Sequence, residues 1–380
     1  MSRMILSGAR VMTPGTDGEA VSVVIRAGLI ESLVAEPGKE GERIDLGGGW
    51  LLPGFIDTQV NGGGGVLLND QPDVDGIAAI AQAHRRFGST GLLPTFISDD
   101  LDRVAAVMDA MDAAIAQGVP GLLGLHIEGP FINVERRGIH KARFMRMLDE
   151  DAIALLTRPG KGVRLVTLAP ECAPPGAIQA LRAAGVIVAA GHSMADYATT
   201  RRALDDGLNG FTHLFNAMTP FGSREPGMVG AALEDRASHF GLIVDGHHVH
   251  FASLRVALAA RGLDGAMLVT DAMPPAGTDM AQFDLQGRTI YVQDGALRSD
   301  DGTLAGSDLT MDLALRNSMT MLGLSLAEAS ALASGNPAAF LGLGGVTGAI
   351  RPGLAADLVH LDDAFNVQSV WVKGQRFEYR

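Results

Sequence analysis

Short apolar runs alternate with amphipathic stretches through the middle of the chain. The apolar runs end near Gln59, Ile97, Ile127, Leu168, Ala190, His213, Val244 and Thr270, which makes eight strand candidates. The stretches between them place apolar residues at i, i+3, i+4 spacing, as at Leu101, Val104, Ala105 and Met108. DVDGIAAIAQAHRRFG, LDRVAAVMDAMDAAIAQG, GAIQALRAAG, DYATTRRALDDG and FASLRVALAARG read as helices, and each closes on Gly. Eight β/α units predict a (β/α)8 TIM barrel of the α/β class. An open doubly wound sheet is the competing architecture, but no GxGxxG loop opens a helix. The segment from Gln282 to Leu304 breaks the rhythm and predicts a β-hairpin insertion, after which helices resume at LTMDLALRNSMTML and LAEASALAS.

Both chain ends carry a different pattern. MILSGARVM, VSVVIRAGLIESLVA and RIDLGGGWLLPG read as short strands of an antiparallel sheet, and ADLVHLD and SVWVKGQRFE repeat the pattern near the other end. Residues 1–53 and 350–380 therefore predict one small β-sandwich domain built from both termini, flanking a catalytic barrel at 54–349.

Composition narrows the function. The chain has 380 residues, enough for a barrel of about 250 residues and a small companion. With 47% hydrophobic residues it can bury a large core, and its 49 glycines suit many tight turns. The formal net charge of −13 argues against nucleic-acid binding as the main activity. Cys172 is the single cysteine, so no intramolecular disulfide is possible and a reducing cytoplasm is the expected compartment. MSRMILSGARVMTPGTDG shows no signal-peptide pattern, and no apolar stretch approaches the roughly 18–20 residues that span a bilayer.

Chemistry-bearing residues gather at the predicted strand ends. In a barrel these ends converge on one mouth. Glu128 in GLHIEGPF, His192 in VAAGHS and His213 in GFTHLFNAM form an N/N/O set suited to a divalent metal with a position left for water. Asp271 in LVTDAMPPAG is the proton-transfer candidate, although an aspartate there could equally cap a helix. Two imidazoles, one carboxylate and a free aspartate suffice for a metal-dependent hydrolase. His126 reads as a packed residue or a partner of the ligands, and His84 lies on a helix. The loop HLFNAMTPFGSREPGMVG offers Asn216, Ala217 and Arg224 for an anion such as phosphate. DGHHVH supplies His247, His248 and His250; His248-x-His250 would share a face in an extended segment, with an anion-binding or structural role.

Together PGFIDTQVNGGGG, LGLHIEGPFIN, RRGIHK, AAGHS, HLFNAMTPFGSREPGMVG, LVTDAMPPAG and GAIRPGLAADLVHLD resemble the N-acetylglucosamine-6-phosphate deacetylase family of the amidohydrolase superfamily. The resemblance covers nearly the whole chain. It implies that Glu128, His192 and His213 hold one divalent ion, Zn2+ by preference, and that Asp271 acts as base and then acid. It implies that His140 hydrogen-bonds the acetamide oxygen, and that His248 with the Asn216–Ala217 backbone binds the sugar and its 6-phosphate. Arg224 would reach the phosphate held by a neighbouring subunit, which implies a homodimer. Many superfamily members carry H-x-H after the first strand and bind two metals; here the place reads Gln59-x-Asn61. Amides are poor zinc ligands, so a single tightly held metal is expected, with Gln59 and Asn61 left for water or a weak second ion. The implied reaction converts N-acetylglucosamine 6-phosphate to glucosamine 6-phosphate and acetate, in amino-sugar catabolism. The alternatives are the galacto epimer, another amide hydrolysis, or a non-catalytic sugar-phosphate-binding protein.

Overall fold

In the computed structural model, which describes residues 3–16, 18–38 and 40–379, the eight apolar runs form one parallel sheet. Its strands are Phe55–Val60, Ser89–Ile97, Gly124–Glu128, Val163–Leu168, Ile187–Ala190, Gly210–Phe211, His239–Leu242 and Ala266–Leu268, each paired with the next in chain order. The eighth strand returns to the first through a parallel bridge between Val60 and Ala272. Asp271 N–H donates to the Gln59 carbonyl at 3.0 Å and Asn61 N–H to the Ala272 carbonyl at 2.9 Å. The sheet thus closes at the residues expected to carry chemistry, as a TIM barrel does at its carboxyl mouth.

Alternation along the strands sorts side chains between two environments. In the third strand Leu125 and Ile127 face the helices and join the large core with Val104, Val107 and Met108 of the helix Leu101–Ala116. His126 and Glu128 face the other way, into the barrel. The barrel's lower interior is apolar: Ile56, Leu93, Leu165, Ile187 and Met267 meet Phe340 from the helix Asn336–Phe340. Gly210 makes room for that ring, since a Cβ there would lie 2.8 Å from it. Above comes a hydroxyl and imidazole layer. His126 bonds Thr167 Oγ1 at 2.7 Å and Thr95 Oγ1 at 3.3 Å, and Thr167 bonds Thr212 at 2.6 Å. His126 is therefore a satisfied interior residue, and burial, the leading cause, depresses its pKa to about 4.

The expected helices are present, as at Val74–Arg85, whose Asp73 caps the Gly76 N–H at 2.8 Å. Short helices at Glu150–Leu156, Gly227–Glu234 and Asn336–Phe340 were not legible in the periodicity. LAEASALAS departs from a plain helix: Leu326–Ser330 runs into a π-helical turn, Ala331–Gly335. The Gly/Pro-rich loop after His213 ends earlier than its composition suggests, with a helix beginning at Gly227.

The insertion is a three-stranded antiparallel meander, Gln282–Leu285, Arg288–Gln293 and Ala296–Ser299, rather than a single hairpin. Gln286-Gly287 and Asp294-Gly295 all adopt positive φ, the geometry of tight hairpin turns, so two reversals fit where one was expected.

Strands from both ends of the chain form two further sheets. One, in the order Leu29–Val34, Ser22–Arg26, Arg3–Ser7 and Glu42–Asp45, is mixed rather than antiparallel, because its last pair runs parallel. The other joins Arg10–Val11 and Trp50–Pro53 to Leu358–Leu361, Val367–Val372 and Gln375–Glu378. A shared cluster including Leu6, Val23, Ile25, Leu51, Leu358 and Trp371 packs the two sheets face to face. Val359, Val370 and Val372 point oppositely, into the barrel's core. Residues 1, 2, 17, 39 and 380 of the terminal assignment lie outside the described residues. Among the described residues no helix is long and apolar enough to cross a membrane.

Candidate active site

Glu128 ends the third strand, while His192 and His213 follow the fifth and sixth by two residues. All three are buried. His213 Nε2 lies 3.0 Å from Glu128 Oε1 and 3.0 Å from His192 Nε2, and His192 Nε2 lies 3.4 Å from the same carboxylate oxygen. Around a tetrahedral cation with bonds of about 2.0–2.1 Å, ligand atoms would be about 3.3–3.4 Å apart. The three atoms therefore approximate one face of such a tetrahedron. His192 supports this fit from behind. Its Nδ1–H donates to the Arg136 carbonyl at 2.8 Å, which leaves Nε2 with the lone pair a metal requires. Burial alone would raise the Glu128 pKa; hydrogen bonds and charge from His192 and His213 outweigh it and hold the carboxyl well below the usual range.

A second grouping of ligand atoms, Glu128, His140 and His192, all within 4.8 Å of one another, competes with this one. The hydrogen bonding of His140 decides between them. Its Nδ1 accepts from the Ser98 N–H at 3.4 Å and lies 2.8 Å from Ser98 Oγ. The ring proton then resides on Nε2, making that atom a donor rather than a ligand. Burial first, then the neighbouring His192, depresses its pKa to about 3 and keeps the ring neutral.

Asp271 is tied to the same cluster. Gln59 Nε2 donates at 3.0 Å to both Glu128 Oε1 and Asp271 Oδ1, and Asn61 Nδ2 donates to Asp271 Oδ1 at 2.6 Å. Both amides use Oδ1, so Oδ2 remains for another proton. Burial first, then the charge of Glu128, raises the Asp271 pKa. Asn61 Oδ1 is buried without a partner among the described residues. Asp271 caps no helix.

The backbone here is unusual. His192, His213, Phe215, Ala217 and Asp271 have φ of 51°, 34°, 81°, 52° and 52°. Non-glycine residues seldom adopt this region, and such strain concentrates where surrounding structure fixes a side chain for use.

Glu128, His192, His213 and Asp271 line a cavity of ≈ 190 Å³ together with Asn61, His140, Asn216, Ala217 and His248. Asn216 Nδ2 donates to the His213 carbonyl at 3.1 Å, and Ser193 N–H donates to the Ala217 carbonyl at 3.0 Å. His248 is fixed by Asp245, whose Oδ2 lies 2.6 Å from its Nδ1. Burial would raise Asp245, but hydrogen bonds and charge from His248 hold it below the usual value. Not every expected residue converges. Arg224 is exposed, does not line the cavity, and pairs with no acid among the described residues. The segment around His248 is bent, so His250 does not share its face; His250 caps the helix Phe251–Arg261. His84 is buried against the Gly62 carbonyl.

Several contributing residues escaped the sequence reading. Ser98 fixes His140, and Asp245 fixes His248. Glu171 accepts from Ser193 Oγ and Met194 N–H, both at 2.6 Å, anchoring the segment after His192. Fully buried Asp57 accepts from Thr270 Oγ1 at 2.6 Å, beside Asp271. The acids in GFIDTQ and IVDGHH were the available signals, since a carboxylate inside an apolar run needs a partner. A larger groove of ≈ 510 Å³, lined by Met12, Pro53, Ala331 and Gly348 among others, has no titratable side chain in its lining among the described residues.

The amidohydrolase family model matches residues 50–377. The N-acetylgalactosamine-6-phosphate deacetylase of Shewanella sp. (strain ANA-3) is 42% identical over 376 residues, 98% of this chain and 95% of the relative. The crystal structure of N-acetylglucosamine-6-phosphate deacetylase from Pasteurella multocida superposes with a TM-score of 0.96 at 31% identity, covering 99% of this chain and 100% of that one. A mutant of the Mycobacterium smegmatis N-acetyl-D-glucosamine-6-phosphate deacetylase, in complex with N-acetyl-D-glucosamine-6-phosphate, gives a TM-score of 0.89 at 33% identity over 99% of both chains.

Proposed function

The chain belongs to the amidohydrolase family, and from that premise we propose that it hydrolyses N-acetylglucosamine 6-phosphate to glucosamine 6-phosphate and acetate. The observation that carries this reading is the near-tetrahedral spacing of Glu128, His192 and His213, with Asp271 coupled to Glu128 through the Gln59 amide. These three side chains would hold one divalent ion per chain. Two imidazoles and a carboxylate suit Zn2+. When bound, such an ion supplies a Lewis acid that polarises the amide carbonyl and makes water acidic.

The protein's own groups then divide the work. Asp271 Oδ2 takes a proton from the attacking water as a bond forms to the acyl carbon. His140 Nε2–H stabilises the charge developing on the acyl oxygen. As the C–N bond breaks, Asp271 returns the proton to the sugar nitrogen, giving the free amine and acetate. Gln59 and Asn61 orient Asp271 and are left with water rather than a second metal. His248 and the Asn216–Ala217 backbone hold the sugar and its phosphate. The ≈ 190 Å³ cavity is smaller than the roughly 300–1,000 Å³ common for ligand sites, so the phosphate end extends past the lip. There Arg224 of a second subunit in a homodimer would meet it, which accords with its exposure and lack of an acidic partner among the described residues. The reading includes a catalytic barrel at 54–349, a small domain at 1–53 and 350–380, and a cytoplasmic setting.

The galacto epimer is a second reading, favoured by the 42% identical relative. Acetate release by metal-replete protein from each epimer, with metal analysis of the same sample, tests both. Faster turnover of the galacto substrate replaces the first reading with the second. No acetate from either substrate removes both.

A further inference from the structure

The cavity has a polar side and an apolar side. Ile97, Ile139, Met273 and Leu304 line it beside the titratable groups. Each of the first three is a close chain neighbour of a polar residue of the centre. Ile97 precedes Ser98, Ile139 precedes His140, and Met273 lies two residues beyond Asp271. These three also belong to a separate hydrophobic cluster whose other members include Phe283, Leu285, Ile290 and Leu297 of the inserted meander. The insertion therefore packs directly behind the apolar wall and is not a surface ornament. Gln286 Nε2 donates to the Ser98 carbonyl at 3.2 Å. The exit of the insertion is stitched to the eighth-strand end: Met273 N–H donates to the Ser307 carbonyl at 2.9 Å, and Ser307 N–H to the Asp271 carbonyl at 2.9 Å. Gly306 permits this approach. Its φ is +64°, and a Cβ there would lie 2.7 Å from both the Asp271 carbonyl oxygen and Met273 Cγ.

We propose that the meander at 282–304 sets the length of the N-acyl chain the enzyme accepts, by holding Ile97, Ile139 and Met273, with Leu304, as a closed wall against the acyl methyl. This rests on the deacetylase reading. A substrate whose acyl carbon sits between the His140 donor and the Asp271 acceptor carries one apolar group, the substituent on that carbon. Two members of the wall, Ile139 and Met273, are chain neighbours of those same two residues, and Ile97 adjoins Ser98, which holds His140, while the sugar and phosphate are polar and need other partners. The wall cannot retreat, because Ile290 and Leu297 behind it have no exposed surface. Close-packed interiors resist even one added methylene.

The test compares kcat/KM for the N-acetyl, N-propionyl and N-butyryl forms of the amino-sugar 6-phosphate in wild type, Met273→Ala and Leu304→Ala. Wild type should favour acetyl over propionyl by about 10–200-fold, the usual value of one methylene in an apolar pocket. Each variant should lower that ratio about tenfold, with butyryl gaining most. The ratio is taken within one protein, so a reduced folded fraction cancels. Acetate release with no acyl preference in wild type, or with the wild-type ratio retained in both variants, overturns this inference alone. No release of any acylate by wild type removes the deacetylase reading and this inference with it.

Discussion

Asp57 offers a measurement of the electrostatics beneath the centre that needs no substrate. The side chain is fully buried. Burial pushes its pKa from 3.8 up to about 7, against hydrogen bonds from Thr270 and Gln59 that pull it down. A carboxyl with a raised folded-state pKa binds its proton more tightly in the native protein than in the unfolded chain. Its contribution to stability is complete below the unfolded value and is lost as pH rises through about 7. The whole shift corresponds to about 4 kcal/mol, and about 2 kcal/mol of it falls between about pH 5.5 and about pH 8.5. Asp57→Asn removes the titration while keeping the shape. Asn Oδ1 can still accept from the Gln59 and Thr270 N–H groups, now 3.2 and 3.3 Å from Asp57 Oδ1, and Thr270 Oγ1 can turn its proton to the Gln59 carbonyl at 3.3 Å. Urea unfolding of chelator-treated wild type and variant at the two pH values is the assay. The variant should gain about 2 kcal/mol on wild type as pH rises. A difference that stays constant within about 0.5 kcal/mol would show that Asp57 is ionised throughout and that burial does not hold its proton.

Further outcomes are expected at Asp271, at the Ser98–His140 pair, at Arg224 and at Cys172. Asp271→Asn should keep metal and substrate binding but lose about 10²–10⁴-fold in kcat; near-normal acetate release would remove Asp271 as the proton carrier. Ser98→Ala deletes the 2.8 Å contact with His140 Nδ1 and should lower kcat about 2–10-fold. His140→Ala should cost about 10²–10³-fold; equal losses in the two would mean that Ser98 does more than position the ring. Arg224→Ala should raise KM for the phosphorylated substrate and leave kcat largely intact, and an unchanged KM would count against a phosphate contact. The Cys172 thiol is pushed up to about 11, by burial first and then by Glu171. Native protein should therefore alkylate slowly at neutral pH, and rapid stoichiometric labelling would contradict this.

The barrel was legible because its signal is repetitive. Eight apolar runs and intervening helical stripes leave little freedom, and the observed strand ends fall within two residues of the expected ones. The convergence of Glu128, His192, His213 and Asp271 followed from the same logic, since strand ends of a closed parallel sheet must meet. What failed to show depends on contacts rather than periods. The parallel pairing of Arg3–Ser7 with Glu42–Asp45 cannot be read from alternation, which is the same for either strand direction. The separate strand Gln282–Leu285 of the insertion was hidden because Gln286-Gly287 is a weaker turn signal than Asp294-Gly295. Ser98 and Glu171 were missed because each acts on a residue distant in the chain, and Asp245 because it holds His248 across a local bend that alternation does not reveal. The segment at His248 bends, so the shared face that an extended segment would give does not form, and His250 takes a structural role as a helix cap.

The exchange of imidazole for amide after the first strand gains a physical meaning from the Gln59 contacts. Glu128 and Asp271 are buried carboxylates that both approach this residue, and burying two such charges side by side is costly without positive compensation. An H-x-H pair would invite a second cation to provide it. Gln59 instead turns its two N–H donors to the two acids, at 3.0 Å each, and Asn61 adds a third at 2.6 Å. The compensation is dipolar and fixed in the chain. A cation that ligated Asp271 would withdraw the lone pair a proton carrier needs, whereas the amides occupy only Oδ1. On the proposed reading, then, Gln59-x-Asn61 does more than disfavour a second metal. It keeps Asp271 ionisable, oriented, and free at the one oxygen that must accept a proton and give it back.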